Sequence, residues 1–212
     1  MGTSSKAILE ILRGIAASQG GFFTSKKAVE AGYADSVHNY HVRNGDWLKV
    51  FRGIYRLAEA EPVEWPELTI WTLWSRDRDG VHQGVFCLET ALAVHGKIDM
   101  EGNVMHMMVP RSFRRNSEIP EQLRLYKEDL PPEDVETRGP FSVTTLARTV
   151  ADLLKSCTNP KILSLVQGLK LVDDQAAGVP ADSWDEPWRG EYRSSQWSPG
   201  RTFEEALMAG ED

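Results

Sequence analysis

Residues 20–57 read GGFFTSKKAVEAGYADSVHNYHVRNGDWLKVFRGIYRL, and this stretch decides the fold of the N-terminal part of the chain. Gly32 and Gly45 divide it into short segments, because glycine readily adopts the left-handed backbone that ends a helix. Thr24 carries a hydroxyl group that can accept a free backbone N–H in the first turn of a helix. We therefore predict a helix over Ser25–Ala31 that Thr24 caps and Gly32 ends.

A second helix and a β-hairpin are predicted in the rest of this stretch. Asp35 is expected to cap a helix over Ser36–Asn44. Residues 47–51 and 54–57 are typical of two strands joined by a two-residue turn. With a further helix predicted over Ser4–Gln19, the order of elements is that of a winged helix-turn-helix, in which the hairpin forms the wing.

One face of the helix predicted over Ser36–Asn44 carries polar side chains. At 100° per residue, a single stripe contains Ser36, Asn39, Tyr40 and Arg43. In a DNA major groove, an arginine can donate two hydrogen bonds to guanine, and an asparagine can pair with adenine. Tyrosine and serine hydroxyls can reach a phosphate or a base edge. The stripe is therefore predicted to read DNA, the alternative being a helix face that is simply solvated.

The charge of the chain is divided unevenly, in a way that favours the same interpretation. Residues 1–57 hold eight Lys and Arg against four acidic residues, whereas the other 155 residues hold 16 against 27, which gives −7 overall. A phosphate-binding surface is therefore expected in the first quarter of the chain. The basic residues predicted to contact DNA outside the stripe, with Arg52 at the wing tip, are Lys26, Lys27, Lys49, Arg52 and Arg56.

The composition is that of a globular chain, with 41% hydrophobic and 26% charged residues. No run of apolar residues is long enough for a membrane span, and the N-terminal segment lacks the apolar region of a signal peptide. Cys87 and Cys157 form no CxxC pair, so we expect two reduced thiols and no zinc site. These observations predict a cytoplasmic protein that does not bind a membrane.

The predicted fold class is α+β, with the winged helix-turn-helix domain over residues 1–58 followed by a mixed α/β domain over 66–172. Residues 58–66 are acidic and contain two prolines, which is typical of a linker. An acidic tail over 173–212 is expected to be irregular. Strands are predicted around 85–88, 104–109, 123–126 and 141–143, and helices over 66–76, 89–95, 146–155 and 162–172. Residues 85–88 are alternatively the segment that leads into the helix over 89–95.

The second domain has six polar residues that are candidates for chemistry: Glu89, His95, Arg111, Arg148, Thr149 and Asp152. The spacing of Glu89 and His95 is not that of HExxH zinc ligands, and the chain has no GxSxG, P-loop or GxGxxG motif. Arg148 and Asp152 are interpreted as a surface ion pair on one helix, with Thr149 facing a neighbouring strand. His41 is interpreted as a core-side histidine bonded to the backbone. We expect no metal, no cofactor and no catalytic residue.

Four segments resemble, in the same order, motifs of the AbiE-type antitoxins (the AbiEi family). Cys87 and Leu88 stand where that family has Ser-His before Glu-Thr. The resemblance covers about residues 20–158 and is carried by the stretch that ends in RGIYRL at 52–57, by LETAL at 88–92 with His95-Gly96, by MVP at 108–110, and by the matching positions of VTTLARTVADLL at 143–154.

The resemblance implies a transcriptional regulator of a type IV toxin–antitoxin, or phage-defence, operon. Such a protein binds inverted repeats in double-stranded DNA of its own promoter, and it can act as a homodimer. The resemblance also implies a cognate toxin of the nucleotidyltransferase type, which the antitoxin need not touch. Two alternatives remain open: a nucleic-acid-processing enzyme with a nuclease-like second domain, and a protein-interaction adaptor that does not bind DNA.

Overall fold

A computed structural model of the chain describes residues 5–100 and 102–169. The chain divides into two compact units, with the boundary between Trp74 and Ser75. Each unit contains helices and one β-sheet, so the chain has mixed α and β structure. The tail predicted over 173–212 and the last residues of the helix predicted over 162–172 lie outside the described residues.

The first unit combines four helices with a three-stranded sheet. The strands pair antiparallel in the order β1-β3-β2. A single 3₁₀ turn over Asp35–Val37 leads into the third helix. The elements are α1 (Ser5–Ala17), β1 (Phe22–Thr24), α2 (Ser25–Ala31), α3 (His38–Arg43), β2 (Trp47–Phe51), β3 (Ile54–Leu57) and α4 (Pro66–Trp74).

Local sequence signals account for the bounds of several of these elements. Thr24 Oγ1 accepts a hydrogen bond from Lys27 N at 3.3 Å, which confirms the predicted cap of α2. Gly32 ends that helix with a φ of 116°, in the left-handed region where a side chain would be strained. Strands β2 and β3 have the predicted bounds, on either side of the turn at Arg52 and Gly53. The helix and hairpin predictions in this stretch are therefore largely confirmed.

The segment before α3 differs from the prediction. The helix expected over Ser36–Asn44 is split into the 3₁₀ turn and the shorter α3. The prediction that Asp35 caps this helix is wrong, because its carboxylate accepts no backbone N–H at the helix start. One Asp35 oxygen lies instead 3.5 Å from His38 Nδ1.

The core of the first unit is built around aromatic rings of three different strands. The Phe23 ring meets the Trp47 ring edge-on, with centroids 4.9 Å apart, and stacks on Tyr55 at 5.8 Å. Leu12 and Ala16 of α1 complete this buried cluster. Strand β1 was not predicted, because its three residues gain their strand character only by pairing with β3, some thirty residues later.

Helix α4 belongs to the first unit, whereas the sequence prediction assigned residues 66–74 to the second domain. The helix packs against β1 and β3. The Trp71 ring also meets the Phe51 ring at 5.2 Å and 76°. An apolar helix joins whichever surface offers it partners, so the proline-containing segment before α4 does not mark the edge of a unit.

The second unit has a mixed five-stranded sheet in the order β6-β5-β4-β8-β7. The β4–β8 and β5–β6 pairs are parallel, and the β4–β5 and β7–β8 pairs are antiparallel. A second 3₁₀ turn, Pro132–Asp134, precedes β7. The elements are β4 (Val85–Phe86), α5 (Leu88–Val94), β5 (Met105–Val109), β6 (Leu123–Lys127), β7 (Val135–Arg138), β8 (Phe141–Thr144), α6 (Leu146–Ser156) and α7 (Pro160–Gly168).

The core of the second unit lies where α5, α6 and α7 meet β5. Its buried members include Leu92, Met108, Leu153 and Val166. Strand β7 was not predicted, because the half-exposed sequence VETR shows no apolar run. In the described part of the chain, no helix is long and apolar enough to cross a membrane.

Candidate nucleic-acid interface

Helix α3 presents the predicted polar stripe to the outside of the first unit. The side chains of Asn39, Tyr40 and Arg43 are exposed, with 62% of Tyr40 accessible. Ser36 is also exposed, but it lies in the 3₁₀ turn rather than on α3 itself. Within the described residues, Arg43 has no hydrogen-bond or ion-pair partner. The stripe therefore offers donors that a ligand can reach.

The opposite side of α3 is fixed to the hairpin by a buried histidine. His38 is 4% exposed, and its ring lies 5.3 Å from the Trp47 ring and 5.9 Å from the Tyr55 ring. His38 Nε2 is buried and finds no hydrogen-bond partner within the described residues. Because one face of α3 is held in this way, the polar stripe faces away from the core.

The prediction that His41 bonds to a backbone group is wrong. His41 is half-buried, and its Nδ1 lies 2.9 Å from Asp46 Oδ2 of the loop that follows α3, not against a backbone group. The ring also stacks on Trp47, with centroids 4.8 Å apart. Hydrogen bonds from His41 and Asn44 lower the pKa of Asp46, so its carboxylate is ionised at neutral pH.

The tip of the hairpin lies beside the start of α2. Ser25 N donates to Gly53 O at 3.0 Å, and Thr24 pairs with Ile54. Lys26 follows Ser25 in the chain, Arg52 precedes Gly53, and both side chains are exposed. Two basic residues that are 26 positions apart in the sequence therefore both adjoin this backbone contact. The hairpin is short and is bonded to the start of α2, so Arg52 lies against the first unit and not at the end of an extended arm.

The other basic residues of the predicted set differ in availability. Lys49 is exposed on β2 and, within the described residues, has no partner. Lys27 Nζ is bound to Glu30 Oε2 at 2.7 Å, an exposed pair that phosphate can displace at small cost.

Arg56 serves the fold of the first unit. Its Nη2 donates to Ala60 O at 2.8 Å and to Glu61 O at 2.7 Å, and its guanidinium lies 5.5 Å from the centre of the Phe22 ring. Burial lowers the pKa of Arg56, with Glu61 opposing the shift. Because Nη2 holds the segment after β3, Arg56 is less available to DNA than Arg43, and its predicted DNA contact stays a prediction.

In the second unit, the pair interpreted as a surface ion pair is buried. The side chains of Arg148 and Asp152 are 4% and 1% exposed. Arg148 Nε donates to both Asp152 oxygens at 2.9 and 2.8 Å, Nη1 donates to Asp134 at 2.8 Å, and Nη2 donates to Glu128. The surface interpretation is therefore wrong. Neither Glu128 nor Asp134 was singled out from the sequence, because only folding brings them to the guanidinium.

The ionisation of this cluster follows from burial and from its charge imbalance. Burial raises the pKa of Asp152 to about 6, although Arg148 acts in the opposite direction. Burial alone would lower the pKa of Arg148, but its hydrogen bonds to Glu128 and Asp134 raise it. One guanidinium thus binds three carboxylates, and it cannot stabilise the ionised form of all three equally.

A second polar group in this unit joins α5 to two strands. Glu89 Oε2 lies 3.5 Å from His106 Nε2, and His106 Nδ1 lies 2.8 Å from the Tyr126 hydroxyl. Burial lowers the pKa of His106, with Glu89 opposing the shift. Leu88, which begins α5, has a φ of 50°, a strained conformation for a branched residue. Sequence reasoning missed His106 and Tyr126.

The remaining polar candidates of the second unit have structural partners. Thr149 Oγ1 lies 2.7 Å from Thr144 Oγ1, which confirms that Thr149 faces the neighbouring strand β8. His95 Nε2 lies 2.9 Å from Thr144 O. Arg111 N donates to Asp129 Oδ1 at 3.1 Å. Over residues 5–100 and 102–169, no group of three or more His, Cys, Asp or Glu is arranged to hold a metal ion.

Comparison with known proteins adds no further assignment. A scan against models of protein families gives no match for this chain, and a search of curated proteins gives none either.

Proposed function

We propose that the first unit is a winged helix-turn-helix that binds double-stranded DNA. The order α1, β1, α2, α3, β2, β3, with α3 between a short helix and a hairpin, supports this assignment. In that fold the second helix of the motif enters the major groove, and here that helix is α3.

The observation that carries the proposal is the exposed stripe on α3. Arg43 and Asn39 have the side chains that read guanine and adenine, while His38 on the other face is buried. Tyr40 and Ser36 add hydroxyl groups beside them. In this proposal, Lys26, Lys27, Lys49 and Arg52 contact backbone phosphates and set the orientation on the duplex.

We further propose that the chain acts as a transcriptional autorepressor and as the antitoxin of a type IV toxin–antitoxin system. This part rests on the four ordered motifs that resemble the AbiE-type antitoxins. The operator would contain inverted repeats, bound by a homodimer, and the partner in function would be a nucleotidyltransferase-type toxin in the same cytoplasm. The exposed stripe on α3 supports the role of a DNA-binding autorepressor and gives no information about the role of antitoxin.

The test is DNA binding by the whole chain to the region upstream of its own gene, followed by fluorescence anisotropy. We expect sequence-preferring binding that weakens with salt. Arg43→Ala should cost about 1–3 kcal/mol of binding free energy, because it removes a base contact. Arg138→Ala, an exposed arginine of the second unit, is the matched control and should bind as the wild type does. Equal affinity of Arg43→Ala and wild type would contradict the proposal.

No observation on the described residues supports the nuclease alternative. It needs acidic side chains that can reach a substrate, and Asp152 is fully buried and bonded to Arg148. Glu89 is half-exposed, but its carboxylate contacts His106 and the thiol of Cys157. Cleavage of DNA in the binding assay, abolished by Glu89→Gln, would favour that alternative.

A further inference from the structure

A cavity of about 310 Å³ lies in the first unit, beside the C-terminal end of α3. Its lining includes aromatic, acidic and apolar side chains, chiefly Tyr33, His41, Asp46, Trp47, Leu57 and Glu59. We propose that this cavity binds a small organic monocation, an ammonium group on a compact apolar body, and that the bound cation weakens DNA binding by α3. The second half of this proposal rests on the proposed DNA-binding function, whereas the first half does not.

The aromatic rings form two walls that meet at a steep angle. His41 and Trp47 stack with their planes 23° apart. The Tyr33 ring stands at 87° to His41 and at 74° to Trp47, with centroids 5.0 and 4.9 Å away. The faces of aromatic rings carry negative potential and attract cations, and their bodies pack against apolar groups. Trp47 is only 1% exposed and stacks on His41, so the half-buried Tyr33 is the aromatic side chain of this corner that a ligand with an apolar body and a positive end can reach.

Glu59 and Asp46, the two carboxylates of the cavity, have different partners within the first unit. Glu59 accepts hydrogen bonds from Arg13 Nε and Nη2 at 2.6 and 2.7 Å, so it has a bound countercharge. Asp46 is contacted by the imidazole of His41, whose hydrogen bond and charge both lower the pKa of Asp46, and by the neutral amide of Asn44 at 3.1 Å. The described residues supply Asp46 with no Lys or Arg, and its side chain is 46% exposed. Asp46 is therefore the carboxylate without a permanent countercharge, and a ligand ammonium group can reach it.

The field of Asp46 extends into the cavity. Burial raises the pKa of Tyr33, and the charge of Asp46 raises it further, against an opposing effect of Arg13. A wall with negative potential repels phosphates and carboxylates, so the cavity selects cations over anions. Its volume lies near the lower end of ligand pockets, which span roughly 300–1,000 Å³, and this limits the ligand to a small molecule.

Asp46 also connects the cavity to α3. Its N–H donates to His41 O at the end of that helix, and its carbonyl accepts from Ala58 N, both at 3.0 Å. An ammonium group at Asp46 Oδ2 competes with His41 Nδ1 for the same oxygen. Because His41 lies on α3 next to Tyr40, loss of this hydrogen bond changes how α3 is held against the hairpin. A ligand that binds one arrangement better shifts the population towards it.

The first experiment measures binding without DNA, by titration calorimetry of the whole chain with 2-phenylethylamine. The neutral 2-phenylethanol and the anionic phenylacetate have the same apolar body and serve as controls. We expect the amine to bind about two- to fivefold more tightly than the alcohol, which is the effect of one exposed ion pair. Equal binding of amine and alcohol, or no binding of the amine, would overturn the proposal.

Two variants locate the site. Asp46→Asn should abolish the difference between amine and alcohol, whereas Asp35→Asn, the same change at an exposed position outside the cavity, should preserve it. If Asp46→Asn fails to fold, Tyr33→Leu takes its place and should weaken amine binding while Asp46 is intact. Shifts of the Tyr33 and His41 ring resonances on adding the amine give an independent readout. Unchanged amine preference in Asp46→Asn would place the ligand elsewhere.

The second experiment adds the amine to the DNA-binding assay, with an equal concentration of sodium chloride as the control for screening. We expect DNA affinity to fall about fivefold in wild type and to stay constant in Asp46→Asn. If calorimetry shows binding but DNA affinity does not change, the regulatory half is overturned. If the chain binds no DNA even without amine, the proposed function fails while the cation site stands.

Discussion

Three arginines of this chain, Arg43, Arg56 and Arg148, lie in three different environments. Arg43 is exposed on α3, and within the described residues its guanidinium has no partner. Arg56 donates through Nη2 to two backbone carbonyls, and Arg148 donates through all three of its nitrogens to three carboxylates, of which only Asp152 is buried. Arg43 therefore keeps the most donors for a base or a phosphate, because a guanidinium must break the bonds that it already makes in order to use those donors elsewhere.

Asp152 should make the stability of the fold depend on pH. Its pKa is raised from 3.8 to about 6 in the folded state, so folding favours the protonated form. The stabilisation from this group is therefore complete below about pH 4 and is lost as the pH rises through 6. Between pH 4 and 7, the unfolding free energy of wild type should fall by about 2 kcal/mol more than that of Asp152→Asn. Urea denaturation across this range measures the difference, and parallel pH profiles of the two proteins would contradict it.

At the scale of elements, α3 is too short to be stable alone and depends on its neighbours. Its six residues make less than two turns, and isolated helices of that length do not persist in water. His38 packs on Trp47 and Tyr55, and Asp46 N bonds to His41 O where the helix ends. The hairpin therefore supports α3 and also carries the proposed DNA contact of Arg52.

The cap of α2 offers a test of the same dependence. Thr24 Oγ1 satisfies Lys27 N, and the Thr24 side chain is buried in β1. Thr24→Val keeps the shape and suits a strand but removes the acceptor, so we expect a loss of about 1 kcal/mol of unfolding free energy. Thr24→Ser keeps the acceptor and is the control for the lost methyl group. Chemical denaturation compares them, and a neutral Thr24→Val would show that the cap contributes nothing.

At the scale of the whole molecule, the two units differ in where their charged side chains lie. Basic residues of the first unit lie at its surface on α3, on β2 and at the hairpin turn, whereas the four acidic residues after β3 fall within 59–67. The second unit bonds one buried arginine to three acids, and its 12 Lys and Arg over 75–169 nearly balance 13 Asp and Glu. DNA would therefore be contacted through the basic side chains of the first unit, since phosphate is repelled by the acidic segment over 59–67.

Salt dependence tests this division. Each phosphate contact that is removed should reduce the slope of log affinity against log salt by about 0.9, because one fewer counterion is released. Lys49→Gln is expected to have this effect, whereas Lys161→Gln in the second unit should leave the slope unchanged. Anisotropy titrations at several salt concentrations give both slopes. A smaller slope for Lys161→Gln would assign a phosphate contact to the second unit.

The sequence by itself determined the features that neighbouring residues specify. Helix α2, its Thr24 cap, the hairpin of β2 and β3, and the exposure of Asn39, Tyr40 and Arg43 all follow from capping, turn chemistry and helical spacing. These signals act over a few residues, so they can be read before the chain is folded.

Only the tertiary structure decided which polar groups meet across the chain. Strand β1 exists because it pairs with β3, and the partners of Arg148 at Glu128 and Asp134 lie 20 and 14 positions away. His38, not His41, is the buried histidine, because its ring packs near Trp47 and Tyr55, which the hairpin brings to α3. Long-range partners leave no periodic pattern in a sequence, since their energy of contact arises only when folding has brought their elements together.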